Sequence, residues 1–374
     1  MRQDNARTSL TTHQVASALA RWAMSRGLLE SLPHEVDAQY LVESPEISLN
    51  TESEQILRQK ELQSISYNAA GRVIYIYTRK KVTQKDLQVL PKYLFSVGMA
   101  YPQGHLDVVG KEPCLSQGSV YAVHSIPGRG DFYACGSSIS PGNDASAGTL
   151  GALVRLQDGV LYGLTNNHVS ALCSHVQPRT PILAPGVIDV SPNAIPPFTL
   201  GFHTRSLEML HGSVGNIDIA RNSDAAIFQI PNEDIVSSMQ GNYFDTPTTI
   251  ADPIEGMTVE KVGRTTRHTR GQIVSRELRP IMVNYHAQRY GFSGRIWFAN
   301  VFVIHGLNTE FSSSGDSGSL VVSLDDQGNR AASVGLIFAG GPDAMAPGGS
   351  KSLMLPLRPI LEALGATLVG GHNV

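Results

Sequence analysis

Cysteine is scarce in this chain: Cys114, Cys135 and Cys173 are its only three. They form neither an even disulfide framework nor a CxxC pattern, which excludes a disulfide scaffold and a thiolate metal site as organising devices. Each reads as a small buried hydrophobe. A surplus of one charge is also missing. With 29 basic and 32 acidic residues the formal net charge is -3, and the one basic cluster, Arg264, Arg267, His268 and Arg270, lacks interleaved aromatics, so nucleic acid is not expected as a partner. No stretch approaches the roughly 18 apolar residues of a membrane span. The N-terminal residues carry charges where a secretory signal needs an unbroken apolar core. The expectation is a cytoplasmic protein with no membrane partner. The histidines at 203, 211, 268 and 305 are dispersed without ligand spacing, so neither a metal nor a cofactor is expected.

Hydrophobic residues make up 41% of the sequence, enough to bury a core, and their periodicity changes along the chain. Val15, Leu19, Trp22, Ala23 and Leu28 recur at helical spacing from Thr12 to about Leu32, where Ser31-Leu32-Pro33 predicts a helix end. Residues 1–54 therefore read as a helical appendage and linker. Residues 55–112 come next as a small α+β domain, with strands at Arg72–Thr78 and His105–Val109 and a helix over Thr83–Leu94 that ends near Pro91. From residue 113 to 374 the chain is rich in Gly, Ser and Pro with short strand-like runs: Thr149–Leu156, Val160–Leu164, Ala225–Ile230, Met257–Val262, Trp297–Ile304, Ser319–Leu324 and Ala332–Phe338. Many short strands between turns predict a mainly β sandwich or barrel. Pro356–Leu364 reads as a helix that closes it.

Three segments carry chemistry. Ser317 lies in Gly315-Asp-Ser-Gly-Ser319, where flanking glycines permit a sharp turn that aims successive N–H groups inward; Gly315 and Ser317 are the expected oxyanion donors. His168 ends the strand-like run Leu161-Tyr-Gly-Leu-Thr-Asn-Asn, a rigid mount for a base. Asp224 precedes the apolar run Ala225–Ile230, which would bury its carboxylate and leave it in need of a partner such as an imidazole N–H. Asp218, in Asp218-Ile-Ala220, is the rival carboxylate. It is followed within a few positions by Arg221 and Asn222 rather than by a strand, so Asp224 is preferred.

Together, Thr165-Asn-Asn-His168-Val, Asp224-Ala-Ala-Ile and Gly315-Asp-Ser-Gly-Ser319, in the order His, Asp, Ser, resemble the three signature motifs of the trypsin-like peptidases. Other serine hydrolases use other chain orders. The resemblance implies a chymotrypsin-like double six-stranded β-barrel and a serine endopeptidase acting through an acyl-enzyme on a protein or peptide substrate, with His168, Asp224 and Ser317 as its triad. Gly136–Ser140, Ala147–Arg155 and Val262–Ile273, with Tyr77–Val82 and Leu106–Val109 before them, resemble more specifically the intracellular branch that includes bacterial trypsin-like peptidases and plant narrow-leaf proteins. This likeness spans about residues 55–370.

The sequence departs from secreted trypsins in lacking an Ile-Val-Gly-Gly start, so Asp316, the residue before Ser317, needs a partner other than a newly cut N-terminal amine. Phe311, six before Ser317, takes the place of the pocket floor. Phe338 and Gly340, on the strand that resembles the substrate-binding edge, are expected to wall the pocket and favour a small or medium apolar residue before the scissile bond. A catalytically silent protease-fold scaffold or peptide-binding module is the alternative. The region before residue 55 is the expected place for a regulatory partner protein, or for a helix that merely packs on the barrel.

Overall fold

The computed structural model describes residues 10–110, 123–190 and 198–374. Cys114 and the expected boundary between residues 112 and 113 lie outside the described residues. A Thr11–Gln14 capping box opens the helix Thr12–Ser25, satisfying backbone donors that its first turn would otherwise leave orphaned. Its apolar face, with Val15, Leu19 and Trp22, packs on Ile65, Tyr67, Ile74 and Ile76 of the antiparallel strands Leu62–Asn68 and Val73–Thr78. Two helices not expected from the sequence, His34–Tyr40 and Thr51–Gln59, come after the first one.

The expected helix over Thr83–Leu94 shrinks to Asp86–Val89. After Pro91 the chain turns into a hairpin, Tyr93–Leu94 with Val97–Ala100. The expected strand His105–Val109 is not a strand: an isolated bridge joins Gly104 to Asp343 and another joins Val109 to Tyr285. This α+β unit is joined edge to edge to a distant strand, Arg267–Glu277, through the pairs Ser66–Glu277 and Tyr67–Arg276.

The chain beyond is a double six-stranded barrel, as expected. In the first barrel Ser138–Pro141 pairs with Gly148–Thr149, which continues as Ala152–Arg155. Leu161–Thr165, Ala226–Gln229, Phe198–Ser206 and Pro181–Ala184 then lead back to Ser138–Pro141. Ile139, Leu153, Leu161, Ile182 and Phe228 fill it. A Cβ on Gly163 would stand 2.2 Å from the Phe228 ring, so the barrel closes over glycine there.

The second barrel runs Thr258–Gly263, Leu320–Leu324, Arg330–Pro342, Ser350–Pro356, Phe302–Gly306 and Arg267–Glu277, and closes on its first strand. Val259, Ile273, Ile304, Val321 and Val334 fill its interior. A third cluster, with Leu164, Ile227, Phe298, Leu320, Phe338 and Leu361, joins the barrels and takes in the closing helix Leu357–Leu364. The expected strand Trp297–Ile304 is interrupted at Asn300, whose φ of 55° leaves the extended region. Trp297 instead ends a hairpin of Ile281–Ala287 and Phe292–Phe298 inserted between two strands of the second barrel.

Three members of the basic cluster pair with acidic side chains of the chain itself, while Arg267 is exposed. Arg264 is buried and paired with Asp189. His268, Arg270 and Arg330 surround buried Glu260; burial opposes its ionisation, but the hydrogen bonds from His268 and Arg330 prevail and hold the carboxyl at about 2. Among the described residues no helix is long and apolar enough to cross a membrane.

Candidate active site

The strand Leu161–Thr165 hands the chain to a single helical turn, Asn167–Ser170, and that junction positions His168. Asn166 and Asn167 fasten it: Asn166 donates to the Asp224 carbonyl (2.5 Å), and Asn167 donates to the Leu207 carbonyl (2.8 Å) and accepts from Ser174 N (2.8 Å). Asp224 has no exposed surface. Its Oδ1 accepts the His168 backbone N–H (3.0 Å), and its Oδ2 lies 2.5 Å from His168 Nδ1. Asp218 is exposed and caps its own turn by accepting from Ala220 N. Of the two carboxylates, Asp224 is the one placed against the imidazole.

Ser317 is half-buried between Gly315 (φ 97°) and Gly318 (φ 95°). Both glycines need the left-handed region, and a Cβ would stand 2.5 Å from Thr265 Oγ1 at Gly315 and 2.3 Å from Thr165 Oγ1 at Gly318. Thr149, from the first barrel, holds the loop by donating its N–H to the Ser317 carbonyl (2.9 Å) and its hydroxyl to the Gly315 carbonyl (2.9 Å). Among the described residues no acceptor claims the Gly315 and Ser317 N–H groups. Ser317 and His168 line one cleft of 650 Å³.

Asp316 finds its partners within the chain. It is fully buried and accepts from Ser313 N (2.9 Å), Thr265 N (2.7 Å) and Thr266 Oγ1 (2.7 Å). Lys261 Nζ stands 3.3 Å from it, also without exposure. Burial lowers the Lys261 pKa, and Asp316 pulls it back up. An ammonium carried within the second barrel thus neutralises this aspartate. Lys261 was not singled out from the sequence, although a Glu260–Lys261 pair inside the strand-like run Met257–Val262 was a visible signal.

Phe311 is a correction. It points into the second barrel among Ile273, Ile304 and Val334, and has no exposed surface. Hydroxyls of Thr266 and Thr269 hold its carbonyl, which turns the side chain inward. The cleft is lined instead by Glu310, Ser312 and Ser313, and the Ser312 and Ser352 hydroxyls meet at 2.6 Å. Phe338 and Gly340 are among the residues lining the cleft. Cys135 and Cys173 are buried free thiols, both raised in pKa by burial. Among the described residues no three His, Cys, Asp or Glu side chains cluster as metal ligands.

A hydroxyl, an imidazole tied to a buried carboxylate, and two unclaimed N–H groups on one cleft can together carry acyl transfer. Residues 243–346 match the family model described as the Nal1 C-terminal domain. No curated protein matches the chain. Thermobifida fusca Protease A is similar at 17% identity and a TM-score of 0.40, over 64% of this chain and 100% of its own. A glutamic acid-specific serine protease shows 18%, 0.40, 63% and 100%, and a Cellulomonas bogoriensis chymotrypsin 16%, 0.38, 63% and 97%, in the same order.

Proposed function

We propose that the chain is a serine endopeptidase of the intracellular trypsin-like branch. The carrying observation is the buried Asp224 carboxylate bonded to His168 on the cleft that Ser317 shares. Ser317 Oγ attacks the scissile carbonyl while His168 Nε2 takes its proton, and the Gly315 and Ser317 N–H groups hold the oxyanion. His168 then gives the proton to the leaving amine, and water releases the acyl group by the same route. The match to the Nal1 C-terminal domain supports the branch, and the unpaired Cys135 and Cys173 support an intracellular setting.

Phe338 walls the cleft beside the small Ser312 and Ser313, which supports preference for a small or medium apolar residue before the cut. Digestion of a peptide library should give that profile with the native chain and no products with Ser317→Ala. Equal digestion by both would sink the assignment, and a profile dominated by Arg or Lys would sink the preference.

A specific contact favours a latent form of the same enzyme. Asp107 N donates to the Gly340 carbonyl (3.0 Å), a group on the edge proposed to bind substrate backbone by strand addition. Residues 107–110 run on along the cleft, so the chain's own segment claims a position that a substrate needs. Proline at 107 has no N–H to donate. Asp107→Pro is expected to raise kcat/KM several-fold on peptides that extend three or more residues before the cut, and to leave single-residue esters unchanged; an equal effect on both substrate classes would contradict this.

A further inference from the structure

Asp224 has a second visitor. The Tyr285 hydroxyl donates to Asp224 Oδ2 over 2.9 Å, the same oxygen that faces His168 Nδ1. Among the described residues this phenol is the carboxylate's only side-chain donor besides His168. Tyr285 has no exposed surface. Its ring centroid lies 5.7 Å from that of His168 and 5.9 Å from that of Phe298. Burial, and then the Asp224 charge, raise its pKa well above the usual phenol range, so it stays a donor throughout the working pH range.

The mount is rigid and comes from outside both barrels. Tyr285 sits on Ile281–Ala287, which pairs along its whole length with Phe292–Phe298. On its other edge Val109 clasps the strand: Val109 N donates to the Asn284 carbonyl (2.8 Å), and His286 N donates to the Val109 carbonyl (2.9 Å). Asn222 Nδ2 ties the partner strand down through the Trp297 carbonyl (2.9 Å). His286 to Arg289, beyond Tyr285, line the cleft.

We propose that Tyr285 is a positioning residue for the reaction: its hydroxyl fixes the Asp224 carboxylate that orients His168, and the inserted hairpin exists to deliver it. This rests on the serine endopeptidase reading above. A phenol hydrogen bond takes up part of the carboxylate charge. Without it, more of that charge faces His168, so the imidazolium is better stabilised and its pKa rises.

Tyr285→Phe keeps the ring and removes the donor. In the full chain it should lower kcat ten- to a hundredfold, as expected for a hydrogen bond to a charged group, with KM within about twofold. The pH at which His168 titrates, followed by NMR, should rise by about half a unit or more. Tyr285→Leu, which also removes the ring, serves as the packing control and should add a loss of thermal stability. Unchanged kcat and an unchanged His168 titration in a folded Tyr285→Phe chain would overturn the proposal. If the native chain hydrolyses nothing while the His168 titration still shifts, the endopeptidase reading fails and the coupling of Tyr285 to His168 stands.

Discussion

Replacing Asp224 by Asn is expected to lower kcat about 10⁴-fold with a folded chain and little change in KM, while Asp218→Asn leaves both unchanged. The first effect stems from the groups that meet the carboxylate. Asp224 accepts three hydrogen bonds, from His168 N, His168 Nδ1 and Tyr285 Oη, in a site with no exposure. A carboxylate holds the imidazole with its proton on Nδ1, which leaves Nε2 free to act as base toward Ser317. An amide accepts through one atom only. The remaining NH₂ must face a donor, and the relief nearest to hand is to reverse the imidazole tautomer, which puts the proton on the wrong nitrogen. Asp218 meets only its own turn, so its amide finds the same contact. Steady-state kinetics of the two variants on one peptide decides: a large loss at Asp218 with little at Asp224 would reverse the assignment.

Lys261→Met is expected to cost about 3–5 kcal/mol of stability, because it leaves a charged Asp316 buried without its counter-ion. Lys261 and Asp316 both have no side-chain exposure and stand 3.3 Å apart. The Ser313, Thr265 and Thr266 donors remain after the substitution, but none carries a charge. The loss should reach the candidate active site as well, since Asp316 lies between Gly315 and Ser317, whose N–H groups the proposed mechanism uses. Adding Asp316→Asn to Lys261→Met removes the stranded charge and should restore most of the stability. Urea unfolding of the single and double variants measures this. A single variant as stable as the native chain, or a double variant no better than the single, would contradict the role given to the pair. The pair gives the buried Asp316 a counter-ion from within the second barrel.

The parts of this site that were visible in the sequence depend on local rules. Glycines at 315 and 318 announce a turn that only a left-handed φ satisfies, and both have one. The apolar run after Asp224 announces a strand edge that buries the carboxylate, and Asp224 is buried. The run of Gly, Ser and Pro with short apolar strands announced a mainly β sandwich or barrel; that there are two barrels was implied only by the resemblance of the three motifs. The contacts that were missed come from distant segments. Tyr285 reaches Asp224 across 61 positions, and Thr265 reaches Asp316 across 51. No local pattern marks either contact, since Tyr285 shares the buried face of its strand with Val283 and Ala287, between Asn284 and His286, as any core-facing strand residue does. Phe311 was misplaced because counting back from Ser317 fixes a distance along the chain but not the side of the loop; the threonine hydroxyls on its carbonyl settle that. The helix Thr51–Gln59 had a readable start in Asn50 followed by Glu52 and Glu54, a capping signal hidden by the polarity of the stretch.

The most direct test of the account is the intact mass of the chain after treatment with a small fluorophosphonate. The reagent needs the nucleophile, the base and the oxyanion donors, but not the Gly340 edge, so the segment at Asp107 does not shield Ser317 from it. One adduct per native chain, and none on Ser317→Ala or His168→Ala, is the predicted result. A native chain that stays unlabelled, or an adduct that persists in Ser317→Ala, would contradict the assignment of Ser317 as an activated nucleophile.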